Sequence, residues 1–465
     1  MRHGLRRGLT AAAVGCVLLT GCSSTVVGSA APGGDVPTDV AAADFPITAA
    51  GDDVEDTRAR NALVDLNTFW EQAYPDNFGE PFQPLQGGYF SVDSNNIDES
   101  AYPPTGIGCQ RSPDDPSDVA GNAHFDPNCD VIAYDRALLK KLSDDYGTSL
   151  PAVVMAHEFG HAIQDRFGFD GPSINTETEA DCFAGAWVRW VVDGKAEHTT
   201  IRGPELDRVL QGYGLLADAP GDSPGNSRAH GSFFDRIAGF SEGYTDGVSA
   251  CRDNFGDGRV FTEIAFTDQD QSTGGNVDFP TAVQVTQDTL PPFWDQVFPT
   301  AFGKDFQEPT VTAFEGKAPD CGDMSGTERD LGFCSSDSTV YYDQKDLVEP
   351  AFQEFGDFVV PTAISLPYAL AVRSELGKST DDSAATRSAV CLTGWYEAQV
   401  FNGAFAQGDN GVQISAGDID EAVHFLLEYG VKDSVFPNTD QSGFELFQDY
   451  RAGFLQGGGP CDIGA

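Results

Sequence analysis

The chain carries the same series of short sequence patterns twice, and an internal repeat constrains a fold more than any other sequence feature. The pattern Phe-Trp-Glu-Gln-Ala-Tyr-Pro at 69–75 recurs as Phe-Trp-Asp-Gln-Val-Phe-Pro at 293–299, 224 residues later. Ala-Asp-Cys-Phe-Ala-Gly at 180–185 recurs as Ala-Val-Cys-Leu-Thr-Gly at 389–394, and a second cysteine recurs further downstream. Because a rare tryptophan and two cysteines keep their order, we interpret the chain as a tandem duplication and not as a coincidence among common residue types.

The repeat divides the sequence into two related units with a linker between them and two segments ahead of them. The linker is rich in glycine and polar residues, as is typical of a junction. Each unit has a strand-like run ahead of helical segments, at 131–134 and at 339–342. The predicted fold class is therefore α+β and helix-rich. Five segments are predicted: a signal segment at 1–21, a tether at 22–54, the first unit at 55–255, the linker at 256–280 and the second unit at 281–465.

The first segment has the pattern of a bacterial export signal. Three arginines precede an apolar run at 9–19, which is too short to span a bilayer as a mature helix. Leu-Thr-Gly-Cys follows and resembles a lipobox, so we predict that Cys22 is acylated and becomes the mature N-terminus. Residues 22–54 would then be a flexible tether that holds the protein at the outer face of the bacterial cell membrane. The alternative is an ordinary secretory signal with an unrelated cysteine.

The charge balance excludes one class of partner. The chain has 72 acidic and 27 basic residues, a formal net charge of −45. Such a chain repels phosphate backbones, so nucleic-acid binding is not expected.

Eight cysteines remain after Cys16 and Cys22 are set aside, and an even number in an exported chain predicts disulfides. No CxxC pattern occurs, which argues against a cysteine-ligated zinc ribbon. Equivalent cysteines of the two units should form equivalent bonds, although a symmetric set that crosses between the units satisfies the same condition. The simplest set is Cys109–Cys129, Cys182–Cys251, Cys321–Cys334 and Cys391–Cys461.

The first unit contains an HExxH motif in a segment with clear helix boundaries. A proline near 151 favours a helix start, and Gly168 favours a stop. On such a helix His157 and His161 share one face, where both imidazoles can bind one cation. Glu158 lies beside that face and is predicted to act as the general base. The alternative is a pair of partly buried histidines on an amphipathic helix.

A second predicted helix supplies the third ligand. Thr176 and Glu179 suggest a capping box, and the helix would continue to a stop near Gly194. Glu177 and Asp181 are i,i+4 neighbours, so Glu177 can bind the metal while Asp181 accepts a hydrogen bond from a ligating histidine. Glu179 would point about 200° away from Glu177. Three protein ligands with one open position are typical of catalytic zinc. The alternative is that Glu177 and Asp181 bind no metal and are ordinary acidic residues at a helix N-terminus, where the helix dipole favours negative charge.

The two motifs together resemble a known family. HEFGHAIQ at 157–164 and ETEADCFAGAW at 177–187 are similar to the neutral zinc metallopeptidases of bacteria, a gluzincin-like group. The close similarity covers 153–187, and a weaker one lies around 230–232. The resemblance implies a zinc-dependent peptidase with His157, His161 and Glu177 as ligands and Glu158 as base, acting on a peptide or protein substrate.

The second unit lacks every proposed metal residue. At a shift of 209 residues, the positions of the two histidines and of the third ligand hold Leu366, Leu370 and Thr386, and Asp181 corresponds to Val390. We therefore predict a degenerate zincin-like copy, one Zn²⁺ per chain, and a helix, turn and helix over 361–396.

His230 is a further candidate, as a donor to the oxyanion that forms during hydrolysis; a surface or capping histidine is the alternative. The sequence thus predicts an exported, lipid-anchored zinc metallopeptidase. The alternative function is a non-catalytic binding or assembly protein of the cell envelope on the same scaffold.

Overall fold

A computed structural model describes residues 38–109, 112–321, 324, 328–406, 412–436 and 440–464, with the backbone alone at 112–113. The predicted signal peptide and the predicted lipid attachment site, Cys22, lie outside these residues. Within them, no helix is long and apolar enough to cross a membrane.

Helices dominate the described chain, and short strands accompany them. The helices are α1 (Val54–Phe78), α2 (Arg136–Tyr146), α3 (Leu150–Phe167), α4 (Ser173–Val192), α5 (Gly203–Tyr213), α6 (Phe233–Asp246), α7 (Val248–Asn254), α8 (Asp270–Thr273), α9 (Phe279–Phe302), α10 (Glu349–Phe355), α11 (Val359–Glu375), α12 (Ser383–Phe401), α13 (Asp418–Phe425) and α14 (Gly443–Gln456). The strands are β1 (Gly88–Val92), β2 (Ile107–Cys109), β3 (Ser112–Asp114), β4 (Ala123–Asp126), β5 (Val131–Asp135), β6 (Thr310–Phe314), β7 (Leu331–Cys334) and β8 (Thr339–Asp343).

Two three-stranded sheets have the same topology. In the first half, which is the unit predicted over 55–255, the order is β1-β5-β4, with β1 parallel and β4 antiparallel to β5. In the second half, which is the unit predicted over 281–465, the order is β6-β8-β7, with β6 parallel and β7 antiparallel to β8. The strand-like runs predicted at 131–134 and 339–342 are the two central strands. The fold is α+β and helix-rich, as predicted.

The same helix contact recurs in each half, at a glycine. A Cβ atom on Gly243 would lie 1.7 Å from the carbonyl oxygen of Cys182, and one on Gly453 would lie 1.8 Å from that of Cys391. Helix α6 therefore packs on α4, and α14 on α12, through bare backbone. These glycines keep the same spacing in the sequence repeat because no side chain fits at either crossing. A common origin of the halves remains our interpretation of the repeat.

Each half closes its own disulfides. The simplest predicted set is present and the crossed set is not, so every bond joins cysteines of one half. The bonds are Cys109–Cys129, Cys182–Cys251, Cys321–Cys334 and Cys391–Cys461.

The described residues belong to one compact unit, with a hydrophobic core that includes side chains of both halves. Aromatic rings of α6 and α14 meet in this core. Phe234 contacts Phe447 and Phe454 at ring-centroid distances of 5.7 and 5.0 Å, and Phe240 contacts Phe444 at 6.2 Å. The second half thus covers an apolar face of the first.

The segments predicted as a flexible tether and as a linker both pack on this body. In the described part of the 22–54 tether, Ile47 is only 7% exposed and Thr48 pairs with Phe90 beside β1. In the 256–280 linker, Thr262 is buried and its N–H donates to Asp235. Both predictions rested on polar composition. Composition does not show that a few apolar or hydrogen-bonding residues can hold a segment against the rest of the protein.

Candidate metal centre

Helices α3 and α4 position the HExxH motif against the third predicted ligand. Helix α3 ends at Gly168, in the left-handed conformation with φ 77°, as predicted. Helix α4 begins at Ser173 after Pro172, so the capping box predicted at Thr176 does not form. A proline supplies the helix start instead. The backbones of the two helices approach each other at Gly160, where a Cβ atom would lie only 2.9 Å from the Cα atom of Ala180.

The three predicted ligands converge on one point. The distances are 3.1 Å from His157 Nε2 to His161 Nε2, 3.2 Å from His157 Nε2 to Glu177 Oε2, and 3.6 Å from His161 Nε2 to Glu177 Oε1. A tetrahedral ion with bonds of about 2.0–2.1 Å separates neighbouring ligand atoms by roughly 3.3 Å. The donor set of two imidazoles and one carboxylate, with these spacings, fits a zinc ion.

Asp181 contacts His157, as predicted. Asp181 is itself held by Arg236, which was not predicted from the sequence. Asp181 Oδ1 lies 2.8 Å from His157 Nδ1. Arg236 on α6 donates to both carboxylate oxygens, at 2.8 and 2.9 Å. Burial raises the pKa of Asp181, but Arg236 and His157 outweigh it and lower that pKa. The signal for Arg236 was that it is the only cation of α6 and lies among the apolar residues at 233–234 and 237–238.

His161 has its own support, also unpredicted. Gln164 Oε1 lies 2.8 Å from His161 Nδ1, and Gln164 Nε2 donates to Glu179 Oε2 at 2.8 Å. Glu179 is fully buried, and burial raises its pKa to about 8. As predicted, Glu179 lies outside the ligand set; it holds Gln164 in place. Because each Nδ1 atom has a partner, each Nε2 atom is left for the cation.

Glu158 and the three ligands line a cavity of about 540 Å³. This size is typical of a site that encloses a substrate. Apolar side chains of β4, α2 and α3 form part of the wall, among them Phe125, Leu142 and Val154. Glu158 is 7% exposed, and burial raises its pKa. A buried carboxylate with a raised pKa is suited to accept a proton and return it.

His230 lines the same cavity from another segment. Its side chain is 48% exposed, and Nδ1 lies 3.0 Å from Asp218 Oδ1. Asp218 also accepts hydrogen bonds from the backbone N–H groups of His230 and Gly231. Asp218 was not predicted from the sequence, because it lies twelve residues upstream of His230 and outside any motif. This contact fixes the loop and the ring together.

The equivalent positions of the second half are buried and hold two leucines and a threonine in place of the predicted ligands. The predicted helix, turn and helix over 361–396 is confirmed by α11 and α12. Leu366 and Leu370 are 0% and 7% exposed, and Thr386 lines, with Leu370, a cavity of only about 30 Å³. Among the described residues of this half, no histidine belongs to a cluster able to hold a metal ion.

Comparison with known proteins finds distant relatives. The chain is 28% identical over 160 residues to an uncharacterized protein of Mycobacterium tuberculosis and to one of Mycobacterium bovis; the matches cover 30% of this chain and 53% of each relative. The chain thus spans about half the length of the curated relatives it matches. No family model matches it, and no solved structure does. The resemblance to neutral zinc metallopeptidases therefore remains a prediction from the motifs.

Proposed function

We propose that this protein is an exported zinc metallopeptidase that hydrolyses peptide bonds. The observation that carries the proposal is the convergence of His157, His161 and Glu177 within 3.6 Å of one another at the wall of a large cavity. A structural zinc site is closed by four protein ligands, whereas three ligands beside an open cavity leave room for water and substrate.

Zinc bound by these three residues would supply Lewis-acid chemistry that acidifies water and polarises a carbonyl group. Glu158 would accept the proton of the attacking water and later return it to the leaving amine. His230, oriented by Asp218, would donate a hydrogen bond to the oxyanion as the carbonyl becomes tetrahedral. Arg236 and Asp181 would hold His157 in the tautomer that keeps Nε2 unprotonated.

The most direct test compares the digestion of a diverse peptide library by the wild type and by the Glu158→Ala variant, both with measured zinc content. We expect cleavage by the wild type and none by the variant at equal zinc occupancy. Asp165→Asn is the matched control, because Asp165 lines the same cavity but lies outside the proposed machinery. Cleavage that persists in Glu158→Ala would contradict the assigned role of Glu158.

The alternative proposal is a non-catalytic binding or assembly protein of the cell envelope. It is favoured by the second half, which keeps the helix pair while Leu366, Leu370 and Thr386 occupy the positions of the proposed ligands. A zinc-loaded protein that cleaves no library peptide, with Glu158→Ala indistinguishable from the wild type, would support it. In either case we propose attachment to the membrane through a lipid on Cys22.

A further inference from the structure

The carboxylate of Glu263 is buried without an N–H or hydroxyl donor. Glu263 follows α7 in the chain and is 6% exposed, and neither of its carboxylate oxygens accepts a hydrogen bond from such a group within the described part of the chain. Its backbone N–H is held by Asp235, at 3.0 Å, so the residue has a fixed place. A buried carboxylate of this kind is costly unless a proton or a cation accompanies it.

The surroundings of Glu263 are acidic. Burial first, then the charges of the neighbouring Asp218, Asp235 and Asp222, and last a side-chain hydrogen bond with Asp218 that requires a proton, raise the pKa of Glu263 to about 8. No lysine or arginine of the described residues forms an ion pair with any of these four acids; the single ionic partner is His230, on Asp218. The negative charges are therefore not balanced by side chains.

Glu263 and Asp218 line a small cavity together with Ser232 and Asp420. Its volume is about 10 Å³, which is enough for a single water molecule or ion. The lining side chains that can bind a cation all do so through oxygen; no histidine or cysteine is among them. Such a donor set selects hard cations over zinc.

We propose that this cavity binds one divalent cation of the Ca²⁺ type, held by the carboxylates of Glu263 and Asp218. The cation would neutralise the unpaired charge of Glu263 and complete its coordination with further oxygens, as Ca²⁺ does in proteins. This inference does not rest on the proposed peptidase activity, because it follows from the buried acid and its cavity alone.

The position of the cavity gives the cation a structural role. Asp218 belongs to the first half and Glu263 to the segment predicted as the linker, whereas Gly417 and Ile419 of the second half also line the cavity. Asp218 also holds His230 at the larger cavity. A cation here would therefore stabilise the contact between the halves and the loop that carries His230.

A second acidic cluster provides an internal control. Asp357, Asp418 and Glu421 are buried, and one carboxylate oxygen of each lies within 4.8 Å of the others. Each also accepts a backbone N–H, from Val277, Ser415 and Phe358 respectively. No side chain without a partner points into this cluster, so we do not assign it a ligand.

The test is calorimetric titration of the zinc-loaded full chain with CaCl2 in calcium-free buffer, beside thermal unfolding with and without calcium. We expect one Ca²⁺ per chain, with Kd at or below about 10⁻³ M. Saturating Ca²⁺ should raise the Tm by about 2–5 °C. Glu263→Gln should weaken binding at least about tenfold and cancel the rise in Tm, whereas Glu421→Gln should change neither.

Three results would overturn the proposal: no calcium binding at millimolar concentration, unchanged binding by Glu263→Gln, or binding that is lost in Glu421→Gln and kept in Glu263→Gln. The first of these results would indicate that a proton shared with Asp218, and not a cation, accompanies Glu263. Glu263→Gln should fold, because it replaces a buried acid by a neutral amide, and its Tm in calcium-free buffer should equal or exceed that of the wild type. A lower Tm of Glu263→Gln in calcium-free buffer would contradict the premise that Glu263 carries an uncompensated buried charge.

Discussion

Asp207 and Asp420 join the two halves by the same contact made in opposite directions. Asp420 on α13 accepts the backbone N–H groups of Phe233 and Phe234 at the start of α6, at 3.1 and 2.8 Å. Asp207 on α5 accepts those of Gly443 and Phe444 at the start of α14, at 3.0 and 2.9 Å. The first N–H groups of a helix have no partner within it, so each half supplies acceptors to a helix of the other. Such reciprocity is typical of a two-fold related pair.

The first prediction follows from this exchange. Asp207→Ala should lower the free energy of unfolding by about 1–2 kcal/mol, because two helix N–H groups lose their acceptor. Denaturant unfolding of the full chain measures the effect. Asp268→Ala, at an exposed position, is the control and should be neutral. Equal stability of the two variants would show that the contact contributes nothing.

The second prediction is the zinc stoichiometry. Purified protein should hold one zinc per chain, because only the first half keeps ligands. His157→Ala and His161→Ala should remove the metal, whereas Glu158→Ala should keep it and lose activity by about 10²-fold or more. Metal analysis beside peptide cleavage checks all three variants. A reproducible value near two zinc ions would mean that the second half binds metal as well.

Features governed by local sequence were predicted well. The ends of α3 follow from a proline at its start and from Gly168 at its stop, and the spacing of His157 and His161 follows from the helical period. The repeat also allowed the second half to be described from the first, including Leu366 and Leu370 at the ligand positions. Each of these inferences needed only residues close in the chain, or a comparison of two segments.

Features that depend on distant contacts were missed. Arg236 contacts Asp181 at a separation of 55 residues in the sequence, and no motif predicts that contact. The start of α4 was misplaced by four residues, because the helix begins after Pro172 and not after Thr176. The unpaired charge of Glu263 is visible only once folding has removed it from water. Sequence periodicity contains no information on such pairings.

The third prediction concerns the support of His157. Asp181→Asn should weaken zinc binding by about 10–100-fold, because the neutral amide holds the imidazole less firmly and leaves Arg236 without its counter-charge. Competition with a chelator of known affinity measures the change. Asp165→Asn serves as the control and should bind zinc as the wild type does. Unchanged affinity in Asp181→Asn would limit Asp181 to packing.

The fourth prediction concerns the proposed lipid. Cys22→Ser should release the protein into the medium or leave it unprocessed, because the acylated residue is lost. Cys16→Ser is the control, since Cys16 lies in the part that is removed, and it should leave the protein on the membrane. Fractionation and the mass of the mature N-terminus check both. A wild-type N-terminus without acyl mass would refute the anchor.

The last prediction is a pH dependence of stability that originates in Glu397. This residue of α12 is fully buried and accepts hydrogen bonds from Thr362, at 2.8 Å, and from Tyr450. Burial raises the pKa of Glu397 to about 8, although both hydrogen bonds oppose the shift. The unfolded chain loses this proton near the ordinary glutamate pKa of about 4.3, whereas the folded protein keeps it.

Between these two values the folded state binds more protons than the unfolded state, so the contribution of Glu397 to stability falls as the pH rises from about 4.3 to about 8 and then levels off. Glu397→Gln removes this contribution, and its free energy of unfolding should fall less steeply over that range. Denaturant unfolding at several pH values measures the slopes. Glu428→Gln, at an exposed position paired with Lys432, should keep the wild-type slope. A wild-type slope in Glu397→Gln would mean that Glu397 is already ionised in the folded protein.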